Sequence, residues 1–405
     1  MLASSPAVAP NPATASRSGR LAGRRVVIVL NWPVLGGSER QAFQLAQHLV
    51  RVEGAKVEVR ALTADDGRAV RLFRANDIPW HRRRVRWRRG KTRMIATLAG
   101  IALDLRRSRP DVLLPYCGLP NVVCGLVWRF TGATTCIWNQ RDVLPYTLGN
   151  DLARRAVRNT PVLVSNSRHG AAHLVNDLSA PDGRVSVVPN GVALPAGRAS
   201  RSEWRSRLGA GDHDFVVCAL AHFHERKDHA TLVQAWRAAA TRLEGAGMSG
   251  LLVLAGRDDG DRESIAALVR QLDLESDVRF AGDVEDVAGL LGAADAGVLS
   301  SPAEGCPNAL LECMAAGLAV AGTDVAGVRE AVGEDGLPLL APVGDGDALG
   351  AALLRLAREP ELRHELGARN QERVRTHFGV DRMLDEHVAL ILGELARART
   401  AERPQ

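Results

Sequence analysis

Short apolar runs alternate along the chain with longer stretches in which apolar residues recur every three or four positions. "RVVIVLNW", from Arg25, predicts a short buried strand. "GGSERQAFQLAQHLVRV" follows it with Ala42, Leu45, Ala46 and Leu49 on one helical face. "KVEVRALT", "DVLLPYC" and "PVLVSNS" predict further strands, and "MIATLAGIALDLRRSRP" a helix stopped by Pro110. The alternation pauses in "NGVALPAGRASRSEWRSRLGAGDHD", whose Gly, Pro, Ala and Ser suit a link between domains. It restarts with "FVVCALA", "LLVLAG", "VRFAG", "AGVLSS" and "LAVAG", each followed by a helical stretch. Strand–helix repetition with short turns predicts an α/β protein with two doubly wound parallel sheets. Ligands of such sheets bind beyond the carboxyl ends of the strands, so the expected site is a cleft faced by the two halves.

The length of 405 residues agrees with two domains. The expected boundaries are a disordered tail at 1–23, an N-terminal Rossmann-like domain at 24–197 and a linker at 198–212. A C-terminal Rossmann-like domain at 213–378 follows, then a helix and tail at 379–405. The N-terminal 25 residues are rich in Pro, Ala and Ser and lack the apolar core of a secretory signal. No window reaches the length of apolar chain that a membrane span needs. The six cysteines, at 117, 124, 136, 218, 306 and 313, show no metal-ligand spacing and read as reduced thiols of a cytoplasmic protein.

The candidate chemistry gathers in "SSPAEGCPNALLECMAAG". The strand ends near Ser301, Pro307 suits the first helical position, and Gly317 suits the helix stop. A strand–loop–helix junction aims free backbone N–H groups outward, and with the helix dipole these favour phosphate. Carboxylates at Glu304 and Glu312 would repel phosphate and need another task, such as accepting hydrogen bonds from sugar hydroxyls. From the pattern alone, an acidic helix start with one exposed helical Glu is the favoured reading.

With its E-x7-E spacing, "EGCPNALLE" resembles the retaining glycosyltransferases of family 4, which have the GT-B fold. "NWPVLGGSERQAFQLAQHL", "VSNS", "VSVVPNGV", "KDHATLVQAW" and "APVGDGDALGAAL" extend that resemblance, in order, over residues 24 to 395. It implies transfer of a sugar from a nucleotide-diphosphate sugar to a hydroxyl of a glycan or lipid-linked acceptor in bacterial surface polysaccharide or glycolipid synthesis. It also implies that donor-sugar hydroxyls meet Glu304 and the ribose meets Glu312, with Gly305, Cys306, Pro307, Asn308 and Ala309 cradling sugar and phosphate. Lys227 falls on the diphosphate-binding lysine, Gly282 and Asp283 on the base-stacking turn, and Gly36 and Gly37 on the N-terminal glycine loop.

Two positions depart from that pattern. The arginine common after the strand before the lysine loop is replaced by His222, so Arg226 joins Lys227 as a candidate for diphosphate charge. The histidine common near the donor sugar is replaced at about Tyr116, a candidate for the acceptor together with Arg141 of "WNQRD". No metal or other cofactor is expected. A sugar-phosphate synthase or phosphorylase of the same fold, and a non-catalytic nucleotide-binding protein, are the alternatives.

"HRRRVRWRRGKTRMI", 81–95, carries eight basic residues among the twelve from Arg82 to Arg93, beside Trp80 and Trp87. No nucleic-acid recognition module surrounds it. A solvated basic loop and docking on an anionic membrane surface remain, the second implying peripheral attachment to the inner face of the membrane.

Overall fold

The computed structural model describes residues 19–31, 36–62, 67–83, 85, 90–141, 146, 148–181 and 183–401. The first half runs β1 (Arg25–Leu30), α1 (Gly37–Arg51), β2 (Lys56–Ala61), α2 (Arg68–Arg74), β3 (Trp80–Arg82), α3 (Lys91–Arg107) and β4 (Val112–Pro115). It continues with α4 (Gly118–Val127), β5 (Thr135–Gln140), α5 (Asn150–Asn159), β6 (Val162–Ser165), α6 (Arg168–Asn176), β7 (Val185–Val187) and α7 (Arg201–Leu208). The second half runs β8 (Phe215–Leu220), α8 (His229–Glu244), β9 (Gly250–Ala255), α9 (Arg262–Gln271), β10 (Val278–Gly282), α10 (Val287–Ala293), β11 (Ala296–Leu299) and α11 (Asn308–Ala315). It ends with β12 (Ala319–Thr323), α12 (Ala326–Gly336), β13 (Leu340–Ala341), α13 (Gly346–Arg358), α14 (Pro360–His377) and α15 (Val380–Ala401).

These strands form a seven-stranded sheet, β3-β2-β1-β4-β5-β6-β7, and a six-stranded sheet, β10-β9-β8-β11-β12-β13, with parallel neighbours at every described register. By its contacts the chain divides into two compact units. One holds Met1–Tyr116, Val123–Ile137 and Val388–Gln405; the other holds Cys117–Val122 and Trp138–His387.

Central strands such as β1, β4, β8 and β9 read as apolar runs because both their faces are covered. In β8 the alternation sorts side chains between two cores. Val217 and Ala219 pack with Leu232 and Trp236 of α8 and Leu349 and Leu353 of α13. Val216 and Cys218 pack on the other face with Leu310 and Met314 of α11 and Val328 of α12. At about 25 cal/mol per Å² of apolar surface removed from water, these two layers dominate the stability of the second sheet.

Two expected segments differ in detail. Residues 19–23, placed in a disordered tail, are anchored: Leu21 is buried, and the Arg20 guanidinium pairs with Glu53 at 2.5 Å. The rest of that tail lies outside the described residues. The expected linker, 198–212, contains α7, started by a capping box in which Ser200 accepts from Glu203 N and Glu203 accepts from Ser200 N. Trp204 of α7 donates to Asp286 Oδ2 at 2.8 Å. A polar, Ser-rich spacing thus conceals a short docked helix.

Candidate active site

In the second sheet the strand order reverses at β8 and β11. β9 and β10 extend on one side of that pair, and β12 and β13 on the other. This is the topological switch point, where two successive loops diverge and leave a crevice beyond the strand ends. The loop after β8 carries His222 and Lys227; the loop after β11 carries Glu304. Lys227 closes a 3-10 turn, Glu225–Lys227, one residue before Asp228. Asp228 takes a left-handed backbone (φ +47°) and caps α8 by accepting from Thr231 N at 3.2 Å. Ser300, at the end of β11, donates to Lys227 O at 2.9 Å. The lysine is therefore fixed from both ends. Its Nζ lies 2.6 Å from Glu304 Oε1.

Helix α11 starts at Asn308, with Pro307 at the capping position in extended conformation, one residue earlier than the expected role of first helical residue. Pro307 supplies no side-chain cap. The first N–H groups of a helix have no partner within it, so those of α11 remain available to an anion. Gly317 stops the helix as expected, with φ +79°. Glu312 is half-buried in the second turn of α11. The loop before α11 lies so close to α12 that a Cβ on Gly327 would stand 2.3 Å from Glu304 O and 2.4 Å from Gly305 O. Only glycine permits that approach.

His222 is half-buried, with Nε2 3.7 Å from Asp259 Oδ2, and Asp259 is held by a bidentate Arg257. Burial, and then the Lys227 charge, pull the His222 pKa down, with Asp259 opposing. An imidazole held below its usual pKa stands where the family resemblance expects a guanidinium. Arg226 is exposed, and its backbone N donates to His224 Nδ1. Gly282 has φ +68° at the β10 edge, where the register with β9 shifts, and Asp283 follows it into solvent.

The remaining candidates come from earlier elements of the chain. Gly36 and Gly37 belong to the first unit, where Gly36 N donates to Glu39 Oε2 at the start of α1. Tyr116 is 1% exposed at the end of β4. Arg141 is likewise buried, bonded to Asn190 Oδ1 at 2.7 Å. Asn166 and Ser167 satisfy backbone groups, donating to Arg141 O and capping α6 respectively. Asn190 and Gly327 touch the Glu304–Asn308 loop and were not singled out from the sequence. "VSVVPNGV" held the signal for Asn190, an amide between a proline and a glycine. All six cysteines are free thiols, and burial pushes Cys306 up to about 12. Among the described residues, no group of three or more His, Cys, Asp or Glu is placed to hold a metal ion.

Residues 35–194 match the family described as Glycosyltransferase Family 4, and residues 214–359 match Glycosyl transferases group 1. This chain belongs to the family 4 glycosyltransferases. It is an enzyme of the GT-B fold, which sets aside the non-catalytic alternative. It is 24% identical over 301 residues to N-acetyl-alpha-D-glucosaminyl L-malate synthase of Bacillus anthracis, covering 72% of this chain and 77% of that one. It is 28% identical over 290 residues to the lipopolysaccharide core biosynthesis glycosyltransferase LpsE of Rhizobium meliloti, covering 71% and 77%. The fold matches that of Anabaena HepE in complex with UDP at a TM-score of 0.76 and 16% identity, over 91% of this chain and 99% of that one.

Proposed function

We propose that this glycosyltransferase takes its sugar from a nucleotide-diphosphate donor and passes it, with retention, to a hydroxyl of a glycan or lipid-linked acceptor. The observation that carries the donor half is the meeting of Lys227 and Glu304 at the switch point, beside the uncapped start of α11. A cation and free N–H groups suit a diphosphate; a carboxylate in the same crevice suits sugar hydroxyls. HepE, a relative in fold, has been solved with UDP and glucose. The acceptor class is supported by LpsE, whose name places it in lipopolysaccharide core synthesis.

In this reading the bond from the sugar C1 to the diphosphate oxygen breaks, and a bond from C1 to the acceptor oxygen forms on the same face. The acceptor proton passes to the departing phosphate oxygen. Negative charge grows on that oxygen as the bond breaks, so Lys227 and the N–H groups of α11 stabilise the transition state more than the bound donor. Glu304 orients the sugar and Glu312 the ribose. The protein's own cations supply the charge, with no metal ion required.

We further propose peripheral attachment to the inner face of an anionic membrane. No helix among the described residues is long and apolar enough to cross a membrane. Helix α3 instead exposes Ile95, Ala99 and Leu103 one turn apart, with Ile95 and Leu103 62% and 61% exposed. Lys91, Arg93, Arg106 and Arg107 are exposed on the same helix, and Arg106 reaches Phe130 O at 3.5 Å, where Phe130 is itself 69% exposed. An apolar stripe between basic side chains suits the headgroup boundary of a bilayer. Trp80 takes no part: it is buried, with its ring centroid 5.4 Å from that of Phe73. Arg84, Arg86, Trp87, Arg88 and Arg89 lie outside the described residues.

Incubation with UDP-, GDP- and ADP-sugars, with and without candidate acceptors, tests the donor reading. Acceptor-stimulated release of nucleoside diphosphate supports it. Turnover that requires inorganic phosphate would point to a phosphorylase instead.

A further inference from the structure

The loop between β11 and α11 is held from below by a buried polar chain that the proposed chemistry does not use. Asn190 follows β7 and is 4% exposed. Its Nδ2 donates to Cys306 O at 3.0 Å and to Asn308 Oδ1 at 2.7 Å. Its Oδ1 accepts from Arg141 Nη1 at 2.7 Å. Arg141 Nη2 stands 3.4 Å from both Asn139 Oδ1 and His387 Nε2. His387 is 2% exposed, with Nδ1 2.8 Å from Met383 O. A neutral ring that donates from Nδ1 presents its Nε2 lone pair to the guanidinium. The backbone of Arg141 touches the same loop: its carbonyl would stand 2.8 Å from a Cβ on Gly305.

Each bond in this chain has a consequence for α11. Holding Cys306 O inward fixes the peptide plane before Pro307. Holding the Asn308 side-chain oxygen keeps it from folding back onto the free N–H groups of the first turn, which a short polar side chain readily does. Both constraints leave those N–H groups open. We infer that Asn190, fixed by Arg141, is a positioning residue that presets the Gly305–Ala309 segment for the donor diphosphate. This rests on the nucleotide-sugar reading, and it assigns Arg141 to the support of the donor loop rather than to the acceptor.

Asn190→Asp separates this role from general folding. The new carboxylate still accepts from Arg141 but cannot donate to Cys306 O or Asn308 Oδ1, and it repels both. Calorimetry with UDP, GDP and ADP on the full-length protein reads the effect, beside thermal midpoints. The parent protein should bind at least one of the three, and Asn190→Asp should bind that nucleotide about ten-fold or more weakly while melting near the parent temperature. Donor kcat/KM should fall in parallel, and the acceptor KM should hold. Arg141→Lys, which keeps the charge but loses the planar fork, should show the same pattern more weakly. If the parent binds and Asn190→Asp binds within a factor of about two, the positioning role is wrong. If the variant unfolds, Asn190→Ala in a cycle with Asn308→Ala decides. Additive losses of affinity would overturn the inference; a double variant no weaker than Asn190→Ala would support it. If the parent binds none of the three nucleotides, the donor reading itself fails and this inference fails with it.

Discussion

Lys227 Nζ and Glu304 Oε1, which emerge from the two strands flanking the switch point, are 2.6 Å apart with both side chains largely shielded from solvent. In this state each satisfies the other. If, as proposed above, a diphosphate donor takes the lysine and its sugar the carboxylate, the pair competes with the donor on both sides. A partly buried, charge-assisted bond of this kind is worth about 1.5 to 3 kcal/mol at most, which is enough to bear on donor affinity.

The pairing gives Glu304→Gln an opposite effect on binding and on turnover. Loss of the carboxylate frees Lys227, so a free nucleoside diphosphate should bind about three- to ten-fold more tightly. Turnover should fall at least ten-fold, because the sugar loses its anchor. Lys227→Ala should lower turnover strongly, since its charge matters most as the leaving group departs. Calorimetry with the nucleotide and initial rates with the donor check both. Weaker nucleotide binding by Glu304→Gln would mean that the pair does not compete with the donor.

Glu312→Ala should go the other way. Its position on the second turn of α11 suits a ribose, and the lost bonds should weaken free nucleotide by about 1.5 to 3 kcal/mol. The two carboxylates of "EGCPNALLE" thus have opposite signs in one calorimetric series. An unchanged affinity for Glu312→Ala would remove the ribose assignment.

Gly327→Ala tests the close approach at the donor loop. A Cβ there would overlap Glu304 O and Gly305 O, so the loop must move. Overpacking of this sort costs about 1 to 3 kcal/mol. Donor kcat/KM should fall about ten-fold or more, because displacement of Glu304 disturbs its aim at the sugar. Full activity together with an unchanged thermal midpoint would show that the contact is slack.

The sequence pattern reached the long buried strands and the site loop, and it missed what lacks a pattern. β8 and β11 are apolar throughout because both faces are covered, and a run of that kind is visible at once. β3, β7 and β13 are edge strands of two or three residues, too short for any period to show. Lys227 and Glu304 were legible as motif members, but their direct pairing is a property of the strand order, which joins residues 77 positions apart. Tyr116 and Arg141 are buried, which was not legible in the sequence for a related reason. Each sits just beyond a strand end, and spacing alone does not tell an enclosed strand end from an open one.

The exposed stripe on α3 predicts salt-sensitive recovery with vesicles. Ile95→Asp with Leu103→Asp removes two apolar anchors, each worth about 1.5 to 3 kcal/mol if fully buried. The bound fraction on anionic vesicles should fall at least ten-fold. Arg106→Ser with Arg107→Ser should weaken binding by about 1 kcal/mol per charge, and that loss should shrink as salt rises. Sedimentation with anionic and neutral vesicles is the measurement. Equal binding to both kinds by the parent protein would remove the membrane reading and leave the donor chemistry untouched.

Acid should unfold the second unit through its buried histidines. Burial, and then the Arg141 charge, push His387 down to about 3; burial, and then His222 and Lys227, push His229 down to about 4. Both are lowered relative to the free imidazole value near 6.5, so the folded state resists protons that the unfolded chain accepts. Above that value both states are neutral and neither group affects stability. As pH falls from about 6.5 toward 4, the unfolded chain binds up to one more proton at each site, and stability declines; the His387 contribution continues to about 3. Denaturant midpoints measured between pH 7.5 and pH 4.5 should therefore drop steadily below pH 6.5. His387→Gln, whose side chain is neutral at every pH, should flatten that slope by up to one proton, at the cost of a lower midpoint at pH 7.5. A variant with the parent's full slope would show that His387 is protonated in the folded protein and that its contact with the Arg141 guanidinium is not as drawn.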